Sequence, residues 1–62
     1  MNQPLPVDLY CVSDDEYEVR VDQTVLGYAK REGDAWTAYP LMSISGTPGF
    51  DRAWQAAEYL AS

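Results

Sequence analysis

Residues 17–39 read YEVRVDQTVLGYAKREGDAWTAY, and the fold class can be inferred from this segment. In its first six residues the side chains of Tyr17, Val19 and Val21 alternate with charged side chains. Strict alternation of apolar and charged residues is typical of a strand that buries one face, because successive side chains point to opposite faces of a sheet. The pattern therefore predicts a strand over residues 17–22 with its apolar side chains facing a core.

Two further strand-like runs follow within the same stretch. Residues 25–30 (VLGYAK) and 35–39 (AWTAY) are rich in residues that favour strands, and Pro40 ends the second run. Between the two runs, Gly33 occupies a position where a tight hairpin requires a positive φ angle. Strands joined by such short turns pair antiparallel. The sequence therefore predicts an antiparallel β-meander.

The segment before this stretch extends the prediction towards the N-terminus. We expect residues 1–6 to form a loose lead-in and residues 7–40 to contain the whole meander. Val7–Val12 has a strand-like composition, but the pattern leaves open whether this run joins the sheet or wraps around it. The predicted sheet therefore has three or four strands.

Residues 41–49 (LMSISGTPG) are rich in serine, glycine and proline, which favours a connecting loop. We expect Leu41, Met42 and Ile44 to tuck against the core from this loop. The following residues, 50–61, have no glycine or proline and are rich in alanine, which predicts a helix.

In this predicted helix Asp51 is placed to act as the N-cap residue. A spacing of about 100° per residue puts Ala53, Ala56, Ala57 and Leu60 on one stripe, with Trp54 and Tyr59 on opposite flanks. The small alanines would let the helix lie close to the sheet. We therefore predict one small α+β domain over residues 1–62, a three- to four-stranded antiparallel β-meander with one C-terminal α-helix packed on one face.

The composition argues against catalysis. The chain has 62 residues, no histidine and one cysteine, so the commonest general base and the zinc sites built from cysteine and histidine are absent. The acidic residues near Asp14 do not have the spacing of a calcium-binding loop, and so short a chain can hardly enclose a substrate cleft. We expect no enzyme activity, no cofactor and no metal.

The sequence also bears on location. It has no secretory signal pattern and no apolar stretch of membrane-spanning length. Cys11 has no second cysteine to pair with and is expected to be a reduced thiol in the core. These features predict a cytoplasmic protein that does not enter a membrane.

The charge is acidic and unevenly distributed. The formal net charge is −6, and residues 1–22 account for −5 of it, with six acidic residues against Arg20 alone. Such a field opposes direct binding to nucleic acid and favours association with a basic partner. The candidate partner-binding carboxylates are Asp14, Asp15, Glu16, Glu18 and Asp22. The alternative is that these side chains form a solvated face that keeps the domain soluble.

The two aromatic side chains that flank the predicted helix stripe are further candidates. Trp54 and Tyr59 lie beside the stripe rather than on it, and exposed aromatic residues of this kind anchor many protein interfaces. The alternative is that Trp54 covers the edge of the sheet.

The pattern of residues 17–22, Leu26-Gly27-Tyr28, Trp36-Thr37-Ala38 and Phe50 to Leu60 resembles small bacterial and phage proteins in which one helix closes a β-meander. The arm-type DNA-binding domains of phage integrases are similar, but they are basic. A short, acidic, histidine-free chain is also similar in type to phage-encoded anti-CRISPR proteins and other inhibitors of host defence. That resemblance implies a stoichiometric inhibitor that occupies a basic nucleic-acid-binding surface.

We therefore expect a non-enzymatic protein-binding module, a partial nucleic-acid mimic that blocks a basic surface of a CRISPR-type complex. The alternative function is a small adaptor or regulatory protein that binds an ordinary partner through its sheet edge or its helix. The sequence is compatible with a monomer or a homodimer, because an exposed sheet edge can pair with itself.

Overall fold

The alternating run at the start of the quoted stretch forms the second strand of a five-stranded antiparallel sheet with the strand order β1-β2-β3-β4-β5. The structure is a computed structural model that describes residues 6–62. The lead-in predicted over residues 1–6 lies, except for Pro6, outside the described residues. The elements are β1 (Val7–Ser13), β2 (Glu16–Val21), β3 (Thr24–Glu32), β4 (Ala35–Pro40), β5 (Thr47–Phe50) and α1 (Ala53–Ala61).

The predicted α+β class and antiparallel meander are confirmed, but the sheet has five strands rather than three or four. Val7–Ser13 joins the sheet by pairing with β2. Thr47–Phe50, which was expected to belong to the loop and the helix start, pairs with β4 through the register positions Trp36–Phe50 and Ala38–Thr47. Pro48 and Gly49 disfavour a strand, so the sequence pattern predicted a loop here. Pro48 is tolerated because β5 lies at a sheet edge.

Short turns hold the strands in register. Asp22 and Gln23 connect β2 to β3 with φ angles of 52° and 67°, which is the pattern of a two-residue type I′ hairpin turn. Gly33, between β3 and β4, has a φ angle of 70°, as the sequence predicted. Because the chain reverses at each turn, the β1–β2 and β3–β4 turns lie at the same end of the sheet.

The helix begins at Ala53, and its N-cap residue is Arg52 rather than the predicted Asp51. The side-chain carbonyl of Gln55 accepts hydrogen bonds from the backbone N–H groups of Asp51 and Arg52, at 3.0 and 3.2 Å. Gln55 thus supplies the acceptor at the start of the helix. Asp51 precedes the cap position and does not fill the predicted role.

The core lies between the helix and the sheet and consists largely of alanine. Among residues 6–62, five hydrophobic residues are fully buried, and they come from both layers: Val19, Ala29, Ala38, Ala56 and Ala57. The predicted helix stripe is thereby confirmed at its two central alanines, while Leu60 packs at its end. Because methyl groups replace larger side chains at this contact, the helix lies close to β3 and β4, the strands that it contacts most.

Strand alternation gives the sheet a helix face and an open face. Val19 and Ala29 lie on the helix face, while Tyr10, Glu18, Tyr28 and Tyr39 occupy adjoining register positions on four neighbouring strands. These four side chains alternate with the buried ones and therefore belong to the open face.

Candidate protein-binding surfaces

The carboxylates of the β1–β2 turn lie at one end of the sheet. Asp14 and Asp15 form this turn and are exposed, and Glu16 begins the next strand. The β3–β4 turn places Asp34 at the same end, with Glu32 at the end of β3. We call this group the acidic end: Asp14, Asp15, Glu16, Glu32 and Asp34.

Asp15 is the carboxylate of the acidic end that is tied to an arginine. The Arg31 Nε donates to Asp15 Oδ1 at 2.8 Å, and a second guanidinium nitrogen of Arg31 contacts the same oxygen. The backbone N–H of Arg31 also donates to the Asp15 carbonyl at 2.7 Å. Asp15 therefore joins the β1–β2 turn to the end of β3, and its charge is largely offset.

Glu18 lies away from the acidic end and forms an ion pair of its own. It lies on the open face, where Arg20 Nε donates to Glu18 Oε1 at 2.6 Å. The Arg20 guanidinium also lies 4.3 Å from the centre of the Tyr10 ring. Glu18 thus shares Arg20 with Asp8, the register partner of Arg20 on β1, and these three side chains together carry a charge of −1.

Asp22 does not lie with the other predicted carboxylates. It is an exposed turn residue at the opposite end of β2 from Asp14 and Asp15. The six residues of β2 span about 17–20 Å at the usual rise per residue. The structure therefore divides the predicted five-carboxylate group into an end cluster, a paired residue on the open face and a distant turn residue.

A hydrogen-bonded group around Glu32 was not identified from the sequence. The Thr37 and Tyr39 hydroxyl groups donate to its two carboxylate oxygens at 2.8 and 2.6 Å. The bond from Tyr39, joined by that from Thr37, lowers the pKa of the Glu32 carboxyl, and the same bond raises the pKa of Tyr39. The alternation of Thr37 and Tyr39 on β4 is the signal that places both hydroxyl groups on one face.

The two helix aromatics are exposed, but they flank different sides of the helix. Trp54 is 53% exposed and Tyr59 is 48% exposed. The Tyr59 ring lies 5.5 Å from that of Phe50, and its hydroxyl oxygen accepts a hydrogen bond from Thr47 at 3.3 Å. Tyr59 therefore faces β5, whereas Trp54 faces β1, and the two do not form one patch.

Trp54 borders an apolar groove between the helix and β1. The groove has a volume of about 600 Å³, and its lining includes Val7, Leu9, Val21 and Ala57. It lies at the end of the sheet opposite the acidic end, because Val7 and Val21 pair where β1 begins and β2 ends.

The outer edge of β1 is a further exposed apolar feature. Leu9, Tyr10 and Val12 are exposed on this strand, and one side of its backbone has no neighbouring strand within the described sheet. Cys11, which was expected to be buried, is an exposed free thiol. The prediction is wrong because β1 forms the sheet edge and the helix does not cover its second half.

The β4–β5 connection does not pack as expected either. Leu41, Met42 and Ile44 are exposed instead of tucked against the core, with Met42 97% exposed at a φ angle of 64°. The core between helix and sheet is already filled by alanines and by Trp36 and Phe50. The loop therefore forms an uncharged apolar tip.

Within residues 6–62, no three acidic or cysteine side chains are grouped so that they could hold a metal ion. No helix in the same part of the chain is long and apolar enough to cross a membrane. Comparisons with protein-family models, curated proteins and solved structures find no match for this chain.

Proposed function

We propose that this protein is a non-enzymatic binding module whose acidic end docks on a basic surface of a partner protein. In the specific form of this proposal, the partner is a nucleic-acid-handling complex of the CRISPR type. The protein blocks its basic surface as a stoichiometric inhibitor and partial nucleic-acid mimic, and acts in the cytoplasm of the host cell. The single observation that carries the proposal is the gathering of carboxylates at the acidic end.

The geometry of the acidic end supports a joint action of its charges. The β1–β2 and β3–β4 turns are two strand spacings apart, which is about 10 Å. A basic surface that docks between the two turns lies about 5 Å from each, which is within the Debye length of about 8 Å at physiological ionic strength, so carboxylates from both turns act on it. Asp14, Glu16 and Asp34 have no ion pair among the described residues. Lys30 is the register partner of Glu16 on β3, so Asp14 and Asp34 carry the charges that are most available to a partner.

Two variants with equal net charge test the proposal. The first, Asp14→Asn/Glu16→Gln/Asp34→Asn, neutralises the acidic end. The control, Asp8→Asn/Asp22→Asn/Glu58→Gln, removes the same amount of charge from residues outside it. Each immobilised protein is used to capture partners from lysate of bacteria that carry CRISPR-type complexes, at low and moderate salt, with identification by mass spectrometry.

We expect wild type and the control variant to capture a nucleic-acid-handling complex that the acidic-end variant loses. Salt should weaken capture, because the complex depends on charge, and added duplex DNA should displace it. Equal capture by the two variants, indifferent to salt and to DNA, would contradict the proposal.

The apolar features favour a second candidate function, an adaptor that binds an ordinary protein through its sheet edge or its helix. The observation in its support is the exposure of Leu9 and Val12 on β1 and of Trp54 beside the groove. A partner retained by both charge variants at moderate salt, and lost on Trp54→Ala, would identify this function.

A further inference from the structure

The backbone of β1 presents an unpaired sheet edge with few of the features that block strand addition. Soluble proteins commonly protect such edges with lysine, proline or a covering loop. Val7–Ser13 contains neither lysine nor proline, and six of its seven residues are exposed. A bulge at Val12 interrupts the ladder only near the end of the strand.

The edge is also close to neutral in a protein of net charge −6. Asp8 is the only charged residue of β1, and its register partner on β2 is Arg20. Arg20 also pairs with Glu18 and lies over Tyr10, so Asp8, Glu18 and Arg20 together carry −1, a small part of the total charge. The acidic surplus therefore lies away from the middle of this edge.

We infer that β1 is a self-association edge, which pairs antiparallel with β1 of a second copy about a two-fold axis at Tyr10. Tyr10 is the central residue of the strand, so this register gives the two strands their longest overlap. The bulge at Val12 disturbs the pairs at both ends of that overlap, and the regular pairs are those of Leu9, Tyr10 and Cys11. Asp8 then faces Val12 of the second copy, and Leu9 faces Cys11. A centre at Asp8 would instead place two like charges opposite each other, which destabilises a strand pair.

The overall charge distribution favours the same arrangement. Antiparallel pairing directs the two acidic ends to opposite sides of the dimer and thereby separates the largest concentrations of like charge. The axis is perpendicular to the sheet, so both helices lie on one face of a continuous ten-stranded sheet. The apolar groove beside Leu9 becomes longer in the dimer, because Cys11 of the second copy lies next to Leu9.

The pairing also provides partners for edge backbone groups of β1 that have no neighbouring strand within the described sheet. Alternate residue pairs of an antiparallel ladder exchange two hydrogen bonds. The Asp15 carbonyl accepts from Arg31 on β3, so alternation along β2 directs the backbone groups of Glu18 and Arg20 towards Tyr10 and Asp8 of β1 and leaves those of Leu9 and Cys11 on the free edge. The two Leu9–Cys11 pairs of the dimer therefore provide about four bonds. The exposed side chains of Leu9 and Tyr10 lose water at the same time. This inference does not depend on the proposed function, since it concerns the open edge and not the acidic end.

Engineered disulfides test the register directly. In Tyr10→Cys/Cys11→Ser the two thiols meet at the axis, where cross-strand Cα atoms lie about 4.5–5.5 Å apart, within disulfide range. In the matched control, Val12→Cys/Cys11→Ser, the two positions are offset by four residues, roughly 13 Å. We expect rapid oxidative cross-linking of the first variant and little of the second.

Sedimentation equilibrium of the wild-type full chain provides the second measurement, and we expect a concentration-dependent dimer. Tyr10→Lys should raise its dissociation constant about fivefold or more, because like charges then face each other at the axis. Tyr10→Phe should leave it unchanged. The inference requires both the dimer and the selective cross-link. A monomer at concentrations up to about 1 mM, where weak complexes form, or equal cross-linking of the two cysteine variants, would overturn it.

Discussion

Gly27 shows how one residue controls the packing of two strands. It is fully enclosed in β3, and a Cβ atom there would overlap the carbonyl oxygen of Tyr39 and lie 3.0 Å from the Cα atom of Pro40. Both obstacles are backbone atoms, so they cannot turn aside as a flexible side chain can. The close passage of β3 and β4 at this point therefore requires glycine.

We predict that Gly27→Ala lowers the free energy of unfolding by about 3 kcal/mol, in the upper range for overpacking. Chemical denaturation measures the change. The control is Gly33→Ala, which has a positive φ angle but no atom within 4 Å of the added methyl group and should lose only about 1 kcal/mol. Equal losses at the two positions would contradict this account of Gly27.

The Glu32 and Tyr39 pair should make stability depend on pH at both extremes. The pKa of Glu32 is lowered by folding, so its contribution is present above the unfolded pKa and is lost as pH falls through the folded pKa. The pKa of Tyr39 is raised, so its contribution is present below the unfolded pKa and is lost as pH rises through the folded pKa.

Thermal melts of wild type and Tyr39→Phe across pH should therefore differ most near neutrality. We expect the wild-type advantage in Tm to shrink in acid, where Glu32 becomes protonated, and again in strong alkali, where Tyr39 ionises beside Glu32. An advantage that stays constant from acid to alkali would show that the hydrogen bond makes no charge-dependent contribution.

At the scale of the elements, the contact between α1 and the sheet depends on small side chains. Ala56 and Ala57 on the helix meet Ala29 and Ala38 on the strands, and all four are buried. Interiors are packed as tightly as organic crystals, so no space is left at this contact for a longer side chain. The spacing of helix and sheet is therefore set by alanine.

We predict that Ala56→Leu increases the distance between the helix and the sheet and lowers the free energy of unfolding by about 1–3 kcal/mol. Ala61→Leu, at an exposed position of the same helix, is the control and should change stability by about 0.5 kcal/mol or less. Urea denaturation followed by tryptophan fluorescence measures both variants. A loss as large for Ala61→Leu would mean that leucine affects the helix itself and not its packing.

At the scale of the whole molecule, a small core provides the stabilisation, and a high net charge opposes it. Val19 is the one fully buried side chain larger than alanine among the described residues, and the formal net charge is −6. Self-repulsion of like charges destabilises a compact chain. Screening of that repulsion should therefore have a measurable effect on stability.

We predict that raising the salt concentration from low to physiological ionic strength increases Tm, because screening relieves more repulsion than it weakens the two ion pairs. The acidic-end variant, Asp14→Asn/Glu16→Gln/Asp34→Asn, should gain less from salt than wild type. A decrease of Tm with salt would instead show that the ion pairs of Asp15 and Glu18 dominate.

The features that could be predicted from the sequence are those with a local physical cause. Alternation in residues 17–22 predicted a half-buried strand, and Gly33 predicted a hairpin turn with a positive φ angle. The alanine stripe predicted a helix that packs closely on a sheet. Each depends on the conformational preference or the periodicity of neighbouring residues. The α+β class follows from these elements, because short turns leave antiparallel pairing as the way to join the strands.

Other features depend on contacts between residues that are distant in the sequence, and only the folded chain shows them. Thr47–Phe50 becomes a strand because β4 offers it hydrogen-bonding groups, although its own sequence favours a loop. Cys11 is exposed because β1 lies at an edge. Asp15 forms an ion pair because folding brings Arg31 next to it, although the two residues are sixteen positions apart in the sequence. Edges, pairs and exposed surfaces arise from contacts between segments, and no periodicity within one segment encodes them.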